Sequence, residues 1–242
     1  MEKLVASEIS VAFDGEKIIE DVSLFLKKGE IVSLLGVSGS GKTTVFNVLS
    51  GIIKPQTGKV LLDGKDITGK PGRVSYMLQK DMLLRHRNVL DNVSLPLILR
   101  GMGKKEARER ARPLFADFGL EGTEKKYPNE LSGGMKQRCA LLRTYLTGAD
   151  VALLDEPFSA LDTLTKASVH RWYLDIMEKI KLSTVFVTHD IDEAVLLSDR
   201  VYILSGKPGR ITDEIKIDLP KPRDPLSEEF IRYKRDIVSK IF

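Results

Sequence analysis

Residues 36–43 read Gly-Val-Ser-Gly-Ser-Gly-Lys-Thr and fit the pattern G-x4-G-K-[ST]. From average residue frequencies the string arises by chance in roughly one chain in a hundred. Its surroundings are those the motif needs. Ile31–Leu35 is a short, almost continuously apolar run, the pattern of a strand buried on both faces. A helix is expected from about Lys42 to Ser50, stopped by Gly51 and Pro55. Gly36, Gly39 and Gly41, with Ser38 and Ser40 between them, let the backbone wrap a phosphate chain so that successive N–H groups point inward. The helix that starts near Lys42 adds the positive end of its dipole. Lys42 then faces the β- and γ-phosphates and Thr43 faces Mg²⁺. The plain alternative is a flexible Gly/Ser loop.

The rest of the composition mainly excludes. A chain of 242 residues allows one or two domains. Its single cysteine, Cys139, rules out an internal disulfide or a cysteine zinc site. His86, His170 and His189 lie far apart and have no metal-ligand spacing. No apolar run approaches the ~20 residues that span a bilayer, and the N-terminus has no signal-peptide core. A reducing cytoplasm is the expected setting. The net charge of +4 is spread along the chain and gives nucleic-acid binding little support.

Hydrophobic patterning divides the chain into thirds. Ile9, Val11 and Phe13 alternate with small or polar residues up to Asp14-Gly15, a hairpin turn, and Val22, Leu24 and Leu26 continue the alternation. Val60–Leu62 and Val74–Leu78 read as further short strands. The middle third is helical, over Asn88–Leu99, Lys104–Phe118 and Gly133–Leu146, with Pro113 kinking or dividing the second helix. Strands Val151–Leu154, Thr184–Thr188 and Arg200–Leu204 then alternate with helices Lys166–Ile180 and Ile191–Leu197. That order predicts a largely parallel sheet with helices on its faces. A connector with Pro220, Pro222 and Pro225 leads to an amphipathic segment ending at Phe242.

Two further motifs carry chemistry. The strand Val151–Leu154 ends in Asp155-Glu156; beside a phosphate loop, Asp155 can order the metal's hydration and Glu156 can take a proton from water. An ordinary strand running into an acidic loop is the alternative. Leu131-Ser132-Gly133-Gly134-Met135 opens a helix; Ser132 suits its N-cap, and the paired glycines leave the helix end bare as a second anion site. One chain with two phosphate-facing elements suggests a nucleotide clasped between two copies.

In this order and at these spacings, the loop at 36–43, Leu131–Met135, Asp155-Glu156, Ser159–Asp162 and His189 resemble the ATPase subunit of an ABC transporter, over about Ile9 to Pro225. The resemblance implies an α/β fold: a RecA-like P-loop ATPase core with a mostly parallel sheet, an antiparallel β-subdomain and an inserted helical subdomain. It implies residues 1–79 as β-subdomain and first part of the core, 80–147 as helical subdomain, 148–205 as the rest of the core and 206–242 as a C-terminal extension. It implies ATP and Mg²⁺, with Thr44 following Thr43 in the nucleotide loop and Gln79 linking metal and water to the helical subdomain. Glu156 matches the catalytic base and His189 the residue that contacts the γ-phosphate. Ser132, Gly133, Gly134 and Asp162 match groups at a head-to-tail homodimer interface. Phe13 matches an aromatic that stacks on adenine. Bland alternatives stand beside these: a surface amide for Gln79, a helix-capping His189, a core Phe13.

The segments 206–211 and 218–224, and Met135, resemble the nitrate/sulfonate/taurine-type importer branch, some of whose members carry pyrimidine precursors of thiamine. The implied partners are transmembrane permease subunits, with an extracytoplasmic solute-binding protein acting indirectly, and the implied place is the cytoplasmic face of the membrane. One departure is Arg85-His86, where that branch commonly has Pro-Trp after two leucines; the surface concerned receives the permease. Lys104–Arg112 reads as a solvated charged face, with contact to nucleic acid or lipid as the alternative. Two other readings share the nucleotide motifs: an ABC-type switch that remodels a protein or nucleic-acid partner, and a monomeric P-loop kinase, which leaves Leu131–Met135 unexplained.

Overall fold

In the computed structural model, which describes residues 1–241, the first two strands form a long hairpin. β1 (Glu2–Phe13) and β2 (Glu16–Lys27) pair antiparallel up to Phe13↔Glu16. Asp14 and Gly15 both take positive φ, 50° and 84°, the two-residue turn whose twist matches that of the strands it joins. β3 (Ile31–Leu35) is buried at every residue, as its apolar run predicts. The phosphate-loop segment and α1 (Lys42–Leu49) follow, and Gly51, at φ 76°, ends the helix where expected. β4 (Thr57–Leu62) and β5 (Lys65–Asp66) return to the first sheet, whose order is β2-β1-β4-β5.

β6 (Ser75–Met77) starts the second half of the other sheet. Between it and the next strand come α2 (Val89–Val93), α3 (Leu95–Leu99), α4 (Lys104–Ala111), α5 (Leu114–Asp117) and α6 (Gly133–Tyr145). The expected single helix over 88–99 is in fact two. Pro96 cannot donate an N–H to Asn92 and its ring crowds that carbonyl, so the chain restarts at Leu95. Pro113 divides α4 from α5 for the same reason.

β7 (Val151–Asp155), α7 (Thr163–Ile180), β8 (Ser183–Thr188), α8 (Ile191–Leu197) and β9 (Arg200–Ser205) complete the alternation. β10 (Arg210–Lys216) and α9 (Glu228–Ile241) close the described chain. Phe242, where the amphipathic segment was expected to end, lies outside the described residues. The second sheet runs β10-β9-β3-β8-β7-β6 and is parallel except for β10. β10 was not expected from the sequence. It pairs on one side only and carries Arg210, Asp213, Glu214 and Lys216, the charged habit of an edge strand that lacks a clean alternation.

This topology places the chemistry. Parallel strands share one carboxyl edge, and the crevice there is where open α/β sheets bind ligands. The phosphate loop leaves β3 at that edge. Gln79 follows β6, Asp155-Glu156 end β7, and His189 follows β8. One apolar cluster fills the space between the two sheets and α1, around Phe46, Leu34 and Val185. A second lies under α2–α7, around Phe115, Leu142 and Phe186. Burial on both sides holds the carboxyl edge rigid.

Candidate active site

The phosphate-loop geometry explains its glycines individually. At Gly36 a Cβ would stand 2.3 Å from the Leu204 carbonyl oxygen, and at Gly41, with φ 96°, 2.5 Å from Ile19 Cγ2. Neither position accepts a side chain. Gly39, at φ 81°, meets nothing within 4 Å and needs glycine only for its left-handed backbone. Lys42 is buried, and its ammonium donates to the carbonyls of Gly36 (2.9 Å) and Val37 (2.8 Å), so it is tucked under the loop it serves. Burial lowers its pKa, while Glu156 and Asp155 act in the opposite sense. Ser40 Oγ is buried without a hydrogen-bond partner, an orphaned polar atom inside the loop. Ser38, Gly39 and Thr43 are exposed on the open side and Thr44 is half-buried.

Opposite the loop, three residues from three strands meet. Glu156 takes φ 43°, a left-handed conformation uncommon for glutamate, and its N–H donates to the Val187 carbonyl (3.1 Å). That turn aims its carboxylate along the sheet edge. Gln79 Nε2 donates to Glu156 Oε2 at 3.0 Å, and His189 Nδ1 lies 3.4 Å from Oε1. Gln79 is therefore more than a surface amide. Nor is His189 the helix cap, since the Asp190 carboxylate accepts the N–H groups of Asp192 and Glu193 at the start of α8. Asp155 is buried; desolvation and the neighbouring Glu156 charge raise its pKa, and the Tyr76 hydroxyl, 3.4 Å away, opposes them.

Mg²⁺ fits these residues. Thr43 and Asp155 offer hydroxyl and carboxylate oxygens, and Gln79 keeps its amide oxygen free while its nitrogen holds Glu156. Those are hard oxygen donors, too few for a cage built from protein alone and suited to a cation shared with phosphates. Among the described residues no cluster of three His, Cys, Asp or Glu side chains offers a competing metal site.

The remaining candidates sit elsewhere on the chain. Ser132 caps α6, its Oγ accepting the Met135 N–H at 3.3 Å. The paired glycines have a packing cause beyond leaving a helix end bare. A Cβ at Gly134 would stand 3.2 Å from both Thr165 Cγ2 and Val169 Cγ2, and one at Gly133 3.2 Å from Leu161 Cδ2, so they let α6 approach α7 and the turn before it. Gly134 is buried, Ser132 and Gly133 are exposed, and no hydrogen bond or ion pair joins them to the phosphate loop of their own chain among the described residues. Asp162 caps α7 by accepting the Thr165 N–H, and hydrogen bonds from Thr165 hold its exposed carboxyl below the usual range. Phe13 is 48% exposed at the hairpin tip, which removes the core reading.

Two groups escaped sequence reading. Tyr76 has only its place three residues before Gln79 to recommend it. Arg143, on α6, donates to the carbonyls of Asp81 and Met82 and so ties the segment after Gln79 to the helical layer, a contact with no local signal.

Comparison with known proteins agrees with this geometry. The family model described as ABC transporter matches residues 19–159. The formylaminopyrimidine import ATP-binding protein ThiZ of Halalkalibacterium halodurans is 41% identical over 240 residues, covering 99% of this chain and 94% of the relative. The taurine import ATP-binding protein TauB of Pseudomonas aeruginosa is 38% identical, covering 91% of this chain and 86% of the relative. The ATP-binding cassette MJ0796, solved as a dimer in a post-hydrolysis state with ADP and Pi, superposes with a TM-score of 0.75 at 29% identity, covering 90% of this chain and 100% of that one. With the phosphate loop, the Asp155-Glu156 strand end and the family match all in register, the chain belongs to the ABC transporter family, as an ATP-binding subunit that hydrolyses ATP with Mg²⁺.

Proposed function

We propose that the chain drives uptake of a small solute, of the sulfonate, taurine, nitrate or thiamine-precursor kind, as the ATPase subunit of an importer. The import names of its relatives support this. No described helix is long and apolar enough to cross a membrane, so the route for the solute belongs to permease subunits, with this chain docked on their cytoplasmic side and a solute-binding protein upstream. Leu78 and Met82, 45% and 56% exposed on the segment that Arg143 anchors, form an apolar docking surface beside Gln79, and Arg85 and His86 are exposed at its end. In this reading residues 80–147 act as one arm that carries permease contact at one end and Ser132–Gly134 at the other. Two copies then pair head to tail, so that Ser132, Gly133, Gly134 and Asp162 of each meet the ATP held by its partner, with Phe13 against adenine.

The hydrolytic step follows from the site. Lys42 and the loop N–H groups hold the phosphates, and Ser38, Ser40, Thr43 and Thr44 line the same loop. Glu156 accepts the proton of the attacking water, its carboxylate steered from one side by the Gln79 amide and from the other by His189. His189, held beside that carboxylate, is the group that would donate to the γ-phosphate as charge develops. Mg²⁺, when bound, offsets charge on the phosphate oxygens, and Thr43, Gln79 and Asp155 are the residues that would hold it.

The observation that carries this mechanism is the convergence of Gln79 and His189 on the Glu156 carboxylate, the three residues coming from three strand ends. Glu156→Gln keeps the hydrogen-bonding shape and removes the base. It is expected to bind ATP normally and hydrolyse it at least ~100-fold more slowly. Near-normal turnover by that variant would remove Glu156 from the role.

A further inference from the structure

A cavity of about 770 Å³ lies on the opposite side of the core, between α7 and the connector after β10. Ile31 opens β3 and Asp199 immediately precedes β9, so it sits at the amino ends of the parallel strands, a full strand length from the phosphate loop. Its volume is that of a small-molecule site. Ile31, Leu174, Met177 and Leu196 give it apolar walls.

Two cations are built into its connector side. Arg223 is 7% exposed and donates to four main-chain carbonyls, those of Leu219, Val195, Ser198 and Ile217. Those bonds leave one of its five N–H donors unused. It forms no ion pair among the described residues. Lys221 bonds Asp199 at 2.7 Å, and the other Asp199 oxygen accepts the Ile31 N–H at 2.8 Å, so each oxygen of that carboxylate has a partner. Burial lowers the pKa of both Lys221 and Arg223. Partly buried Lys221 and buried Arg223 thus line this side with the single carboxylate of Asp199, a surplus of one positive charge beside the apolar wall. The rim carries equal numbers of each sign, Arg171, Asp175 and Glu178 on α7 and Lys181 at its C-cap.

The cavity also touches a buried polar chain that leads to the active site. His170 lines it, is 7% exposed, and places Nε2 3.6 Å from Glu193 Oε1. Glu193 pairs with Lys166 at 2.9 Å and accepts the Thr188 hydroxyl at 2.7 Å. Thr188 Oγ1 in turn accepts the Asp190 N–H, bracketing His189. His170, Glu193 and Thr188 are all buried, so a push on His170 has few other places to go.

We propose that this cavity is a regulatory site for a small organic monoanion with an apolar body, a sulfonate or carboxylate, and that its occupation is felt at His189 through Glu193. The inference goes beyond the import reading and does not depend on which solute is carried. Glu193 is here a positioning residue, acting through Thr188.

The probe is 2-naphthalenesulfonate, titrated into the full chain with the nucleotide site saturated by MgADP, so that the phosphate loop cannot take the anion. One probe per chain is expected. Leu174→Trp, which pushes a bulkier ring into the cavity from its apolar wall, and Lys221→Glu, which reverses the charge opposite, should each weaken binding roughly tenfold or more. Saturating probe should change the MgADP affinity of the native chain by about 5-fold or more, with Leu174→Trp correcting for any competition at the loop. Glu193→Gln and Thr188→Val should still bind probe but lose that change, a readout independent of hydrolysis rate. Undiminished binding in both cavity variants would show adhesion elsewhere and overturn the site. Probe bound in the cavity with unchanged MgADP affinity would overturn the coupling. Loss of basal ATP hydrolysis in the native chain would count against the ATPase mechanism above, and leaves the probe measurements intact.

Discussion

At the scale of single residues, the site is set by groups whose conformations their neighbours impose. Glu156 holds a backbone conformation that glutamate rarely adopts, maintained by its N–H bond to Val187 and by Ser159, whose hydroxyl and N–H both donate to the Glu156 carbonyl. Glu193 shows the electrostatic counterpart. Burial alone would raise its carboxyl pKa, yet His170, Lys166 and Thr188 hold it down to about 2. A carboxyl whose pKa falls on folding stabilises the fold fully above its unfolded value of 4.5, and that stability is lost as pH falls from there toward 2. The amount is on the order of 3 kcal/mol. Glu193→Gln is therefore expected to flatten the acid limb of a stability-versus-pH curve below pH ~4.5, measured by urea melts. An unchanged acid limb would show that the carboxylate is not held in this way. Of these residues, Glu156 and His189 were legible from their places in motifs. Tyr76 and Glu193 were not, because their partners lie on other elements and leave no local pattern.

Elements fix which of those residues meet. The contact between α6 and α7 depends on Gly134, where a side chain would press on Thr165 and Val169 at 3.2 Å. Gly134→Leu is expected to destabilise the fold by roughly 1–3 kcal/mol through overpacking, read as a lowered Tm in the nucleotide-free chain. A Tm equal to that of the native chain would mean the helices can move apart freely. Periodicity located most elements within a residue or two: Ile191–Leu197 matches the expectation fully, and α7 begins at its Asp162 cap, a few residues before the apolar pattern does. It failed where the pattern is silent. Over 88–99 the apolar spacing is continuous although Pro96 interrupts the backbone, and over 210–216 charge obscures a strand that only β9 reveals.

At the scale of the whole molecule, one edge of the parallel sheet gathers the nucleotide chemistry and the opposite edge carries a separate cavity. As the ATP-binding subunit of an ABC transporter, the chain works with permease partners, as its import relatives imply. Mild extraction of membranes containing the tagged chain is expected to recover a protein with several apolar segments of ~20 residues. Recovery of soluble proteins or nucleic acid alone, with the chain absent from membranes, would instead favour the ATP-switch reading. By itself the sequence determined the phosphate loop, the acidic strand end, the helix opened by Ser132 and the alternation of strand and helix, because each is written in contiguous residues whose spacing matches a backbone repeat or a bound phosphate. Only the tertiary structure decided that Gln79 and His189 grip the Glu156 carboxylate, that Phe13 is exposed, that Gly134 serves packing, and that Arg223 and Lys221 face an apolar cavity with His170. Those contacts join residues far apart in the chain, and their energies depend on burial and distance, which exist only after the sheet has brought the elements together.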